Sequence, residues 1–181
     1  LRQDYDVKVR WIAFPLHPET PEEGRSLEAL FAGRGINVDQ LLAKLKRAAS
    51  DAGLPFGDRK MTFNSRLAQE LGKWAESKGR GGEYHDAVFK AYFVDGTNIA
   101  KPRELLRIVA SMGLSGEDAE ETLRSRSFGE AVDMDWARSR AMGIRAVPTF
   151  VLNGQRLVGA QTYESLARFV ETSGIGRRIV K

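Results

Sequence analysis

Ala146-Val147-Pro148-Thr149-Phe150-Val151-Leu152-Asn153-Gly154-Gln155-Arg156-Leu157-Val158-Gly159 carries a β-hairpin signature. Asn153-Gly154 supplies the two positive-φ residues that a two-residue type I′ turn requires, and it sits between two apolar, β-branched runs. Upstream, Phe128 to Met142 reads as a helix with Val132 and Trp136 on one face, stopped by Gly143. Downstream, Tyr163 to Thr172 reads as a closing helix that buries Leu166, Phe169 and Val170.

The other β signal lies near the start of the chain. Val7 to Phe14 alternates Val7, Val9, Trp11 and Ala13 with Lys8, Arg10 and Ile12, the period of a strand with one buried face. Residues 15–24 follow with three prolines and a glycine and must be a loop. The long middle is helical: residues 26–52 in two pieces around Gly33-Arg34-Gly35, then 64–78, 83–93 and 102–112, the last opening on Pro102 and closing at Gly113. Ser115 and Asp118 form a capping pattern for one more short helix. A strand and a distant hairpin separated by helices predict an α/β protein with one mixed sheet and a helical insertion. Residues 1–25 and 140–181 would form the sheet-bearing part, and 26–139 the insertion.

Composition restricts the chemistry. The 181 residues are 42% hydrophobic and 29% charged, with a formal net charge of +4, as expected of a globular protein with a mild basic excess. The tightest basic cluster is the tail Gly176-Arg177-Arg178-Ile179-Val180-Lys181, too sparse a footprint to predict nucleic-acid binding. No apolar run approaches the ~20 residues of a membrane-spanning helix, and no secretory leader is visible. There is no cysteine, so these residues hold neither a thiol nucleophile nor a thiolate-bound metal. His17 and His85 lack ligand spacing, and no metal site is predicted. Trp11, Trp74 and Trp136 read as core residues, and His85 as part of a polar helix face. Asp133 and Asp135 point in different directions from one helix and make no catalytic pair.

Four segments in order carry a family resemblance: Val9 to Pro18 with Pro21 to Gly24; Asn64 to Gln69; Ala91 to Gly96 with Ile99; and Met142 to Gly154 continuing to Gln161. Together they resemble DsbA-like thioredoxin-fold proteins of the FrnE-like subfamily, from about Val7 to Thr172. The resemblance implies a thioredoxin-like mixed sheet with a helical insertion and a cis Val147–Pro148 bond. It further implies a wall made by Val147, Pro148 and Thr149 against which an extended substrate lies, with Phe14, Pro15, His17 and Gln161 as candidates for the rim of the groove.

The family's Cys-x-x-Cys sits at the start of the helix after its first strand, and Leu1 to Asp6 resembles the end of that helix. The expectation is therefore a thioredoxin fold with its first strand missing, about 30 residues of βα unit, and no catalytic residue in this chain. The implied function is thiol–disulfide oxidoreduction of a disulfide- or thiol-containing protein or small thiol, without a bound cofactor. One alternative is a glutathione-dependent enzyme of the 2-hydroxychromene-2-carboxylate isomerase or kappa-class transferase type. Gly159 to Thr162 lacks the carboxylate that would pair with the glutathione ammonium, which disfavours that reading. Another alternative is a non-catalytic peptide binder. The FrnE-like branch suggests a cytoplasmic location, and the slot of the first strand is expected to be filled by a second copy in a homodimer or by the Arg178–Lys181 tail.

Overall fold

The computed structural model describes residues 1–178 of the chain. It divides into two compact units, Leu1–Leu16 with Met134–Lys181, and His17–Asp133.

The His17–Asp133 unit is helical. Arg25–Ser26 (β1) pairs antiparallel with Met61–Thr62 (β2), a short ladder the sequence did not announce. Gly24 enters it at φ +86°, where a Cβ would collide with the Phe63 ring and stand 2.7 Å from Thr62 O, so glycine is needed twice over, for its dihedral and for its size. Leu27–Phe31 (α1) and Val38–Asp51 (α2) are the two pieces expected on either side of Gly33-Arg34-Gly35. Ser26 Oγ accepts from Ala29 N, and Asn37 Oδ1 accepts from Gln40 N, as N-caps do. Arg66–Ser77 (α3), Gly81–Phe93 (α4), Pro102–Ser111 (α5) and Gly116–Ser125 (α6) follow, α6 capped by Ser115 Oγ on Asp118 N. Their apolar faces meet in a core of Leu71, Trp74, Tyr84, Val88, Leu105, Val109 and Leu123, with smaller residues between them. The Tyr84 hydroxyl donates to Ala68 O inside it, and burial pushes its pKa far up.

Gly129–Ala141 (α7) carries the boundary between the units at Asp133–Met134. In the other unit Thr149–Leu152 (β3) and Gln155–Val158 (β4) form the hairpin, with Asn153 at φ +48° and Gly154 at φ +79°, and Tyr163–Thr172 (α8) follows behind Thr162 as N-cap. Its core is small: Tyr5, Ala167 and Val170, with Leu1, Val7, Leu152 and Ile175 against them.

Val7 to Phe14 is not a strand. A strand exists by its ladder, and among the described residues β3 has only β4 beside it while residues 7–14 pair with nothing in register. The expected single mixed sheet is thus reduced, in this unit, to the hairpin. Trp11, read as core, is 41% exposed for the same reason, whereas Trp74 is buried. Of the tail considered as a filling strand, residues 179–181 lie outside the described residues. Arg177 forms an isolated antiparallel bridge with Tyr5, and Arg178 N donates to Asp4 O.

Candidate functional site

α7 ends when Gly143, at φ +62°, turns the chain, with Met142, Gly143 and Ile144 N–H groups closing on its last carbonyls. The chain crosses a short turn to Val147–Pro148, whose peptide bond is cis, and enters β3 at Thr149. Thr149 Oγ1 donates to Ala146 O at 2.7 Å, and Gly159 N donates to Pro148 O at 2.8 Å, fixing the entry from both sides. Val147 is 45% exposed, and its backbone N–H and C=O have no partner among the described residues.

The hairpin register says where the rest of this edge faces. Leu152 pairs with Gln155 around a two-residue turn, so these two exchange hydrogen bonds, as do Phe150 and Leu157. Thr149 and Val151 then direct their N–H and C=O groups away from β4. Together with Val147 they form a row of main-chain groups at alternate residues, the arrangement that accepts an extended chain.

The rim candidates are divided between the two units. Phe14 and Pro15 are half-buried in the same unit as Val147 to Thr149. The Ala13 N–H just before them donates to Asp135 Oδ2 at 2.9 Å, which ties residues 7–16 to α7. His17 belongs to the His17–Asp133 unit, where its Nδ1 lies 3.8 Å from Glu19 Oε1. Gln161 Nε2 donates to Val158 O at 2.8 Å at the end of β4. No group of residues able to hold a metal ion occurs among the described residues.

Comparison with known proteins decides the family: residues 1–171 match the model of the DSBA-like thioredoxin domain. The chain belongs to that family. A relative from Bacillus subtilis (strain 168), the uncharacterized protein YwbO, is 28% identical over 164 residues, which is 86% of this chain and 76% of the relative. The crystal structure of a probable DsbA oxidoreductase from Streptomyces coelicolor superposes with a TM-score of 0.85 at 22% identity, covering 93% of this chain and 76% of that one. The cytosolic disulfide reductase DsbM from Pseudomonas aeruginosa, solved with GSH, is 27% identical with a TM-score of 0.56 over 76% of each chain. The fold is therefore the DsbA-like thioredoxin fold, and this family member has no cysteine in its 181 residues.

Two polar features escape the sequence reading. Asp135 is 3% exposed and holds Ala13, whereas Asp133, two residues earlier, is largely exposed and pairs with Arg66 at 2.6 Å. Glu70 is fully buried in the helical unit: Arg126 grips it through Nε and Nη2 at 2.7 and 2.6 Å, and Arg66 Nε donates to it at 2.6 Å. Burial alone would raise the Glu70 pKa, but the hydrogen bonds and charges of Arg126 and Arg66 hold it below the ordinary carboxylate value. Arg126 reaches this grip from a left-handed backbone, φ +55°, that few non-glycine residues adopt. A Glu four residues after an Arg on a helix was a visible i,i+4 pair; the second arginine, 56 residues away, had no local signal.

Proposed function

We propose that this chain is the substrate-binding part of a thiol–disulfide oxidoreductase, acting on a disulfide- or thiol-bearing protein. The observation that carries the reading is the exposed Val147 at the entry to β3, whose main-chain N–H and C=O have no partner among the described residues. An extended peptide laid along Val147 makes main-chain hydrogen bonds that do not depend on its side chains, which suits an enzyme that handles many sequences around a disulfide. The chemistry needs a thiolate to attack one sulfur of the substrate disulfide, forming a mixed disulfide and releasing the other sulfur as thiolate; a second thiol then resolves the mixed disulfide. Neither sulfur is in this chain, so the dithiol must be supplied from outside these residues.

The chain alone is expected to show no insulin reduction above a buffer blank. A version extended before Leu1 by a βα unit bearing Cys-x-x-Cys is expected to gain activity. Activity in the 181-residue chain, or none in a folded extended form, would overturn the proposal.

A second reading, with glutathione as the thiol, is favoured by the likeness to DsbM solved with GSH. Against it, Gly159 to Thr162 offers an amide and no carboxylate for the ammonium, and the Gln161 amide donates inward to Val158. Titration calorimetry with reduced glutathione decides between the two, since heat that saturates favours the second. A cytoplasmic location belongs to the same proposal and draws support from the cytosolic relative.

A further inference from the structure

α2 is a 14-residue helix with no buried residue. At 3.6 residues per turn, Val38, Leu41, Leu42, Leu45, Ala48 and Ala49 share one stripe. Val38, Leu41, Leu42 and Ala49 are half-covered, while Leu45, at 40% exposure, Ala48 and Ala52 are open to solvent. The open half continues past the helix to Leu54, 63% exposed. At the other end of α2 lies a recess of about 410 Å³ whose lining includes Phe31, Ile36 and Val38. An isolated helix of this length is marginal in water and draws its stability from covering such a face.

We infer that this face docks a second copy of the chain, α2 against α2, antiparallel about a two-fold axis near Ala48. The residues are self-complementary in that arrangement. Lys44 and Asp51 lie on the same flank of the open stripe, and in an antiparallel pair equal flanks face each other. With the two Ala48 positions at the crossing, Lys44 of each copy stands beside Asp51 of the other, giving two ion pairs of opposite sign. Lys46 does not compete for Asp51, being paired with Asp58 within the chain. The small Ala48 lets the backbones approach, and Leu54 of each copy is carried toward the Val38 end of the other, where the recess can receive it. A single helix pair buries less than a permanent dimer does, so this contact is a weak, reversible one.

Sedimentation equilibrium of the whole chain over about 10–500 µM, the range in which small interfaces act, tests the inference. A monomer–dimer equilibrium is expected, with Leu45→Asp raising the dimer dissociation constant about tenfold or more. Lys44→Glu and Asp51→Lys should each weaken the dimer, and the doubly exchanged variant should recover it. Val158→Asp, on the exposed side of β4, should leave it unchanged. A protein that stays monomeric throughout the range with native circular dichroism overturns the inference. So does a dimer that tolerates Leu45→Asp but is lost with Val158→Asp, which would mean pairing through the hairpin, or a charge exchange that fails to recover association.

Discussion

At the scale of single residues, the buried Glu70 is the most consequential side chain outside the Val147–Thr149 edge. Truncating it leaves Arg66 and Arg126 facing each other with their shared counter-charge removed; because Arg126 is half-exposed and Arg66 keeps Asp133, the cost is about 1–3 kcal/mol. Glu70→Ala is expected to lower the urea midpoint accordingly, and a loss under about 1 kcal/mol would show that the network is dispensable. Because the folded pKa of Glu70 lies below its ordinary value of 4.5, the unfolded chain binds its proton first on acidification. Its stabilisation is complete above that value and is lost as the pH falls through the folded pKa. His85 acts in the same direction at higher pH. Burial beside Tyr84 and Phe89 lowers its pKa below 6.5, against the opposing pull of Glu76, so acidification below 6.5 costs stability as the unfolded chain takes up the proton. Unfolding free energies of wild type and Glu70→Gln from pH 7 to pH 3 should therefore converge toward the acid end. This much was not legible in the sequence: His85 reads as part of a polar face, and nothing local marks Glu70 as buried.

Elements whose causes are local were legible. The break at Gly33-Arg34-Gly35, the Ser115 cap of α6, the proline opening of α5 and the Asn153-Gly154 turn each rest on residues within a few positions of the feature, and each stands where the sequence places it. Ser115→Ala removes the acceptor of the Asp118 N–H, and should cost about 1 kcal/mol, read as a lower thermal midpoint. Gly154→Val puts a β-branched side chain at φ +79° in the turn that sets the register of β3, and is expected to reduce the hairpin signal in chemical shifts while leaving α3 to α6 intact. Val7 to Phe14 failed as an element because strand character is not local. Its alternation is sound, but the ladder that would make it a strand belongs to another segment, and the residues settle instead for single tethers such as Ala13 to Asp135.

For the molecule as a whole, the two units differ in how much holds them together. The His17–Asp133 unit closes over an eleven-residue buried core, while the other has Tyr5, Ala167 and Val170. Local opening follows buried apolar contact, so amides of residues 7–14 and of β3 and β4 should exchange with solvent well before those of α3 to α5. Hydrogen-exchange mass spectrometry measures this, and equal protection in both units would contradict it. The same measurement bears on the sheet. Thr149 and Val151 direct main-chain groups away from β4, and Val7 to Phe14 has the side-chain period of a strand but no ladder among the described residues. A strand that paired with both would bond these groups, and an unmade backbone hydrogen bond costs roughly 1–3 kcal/mol once buried. The chain extended before Leu1 by a βα unit with Cys-x-x-Cys is therefore expected to slow exchange at residues 7–14 and 149–152 specifically, with α3 to α5 unchanged, whether or not the cysteines are replaced by serine. Activity that returned without that protection would mean that the dithiol works from a different place. Protection that returned with serines in place of the cysteines, and without activity, would separate the strand's structural role from the sulfur chemistry it carries.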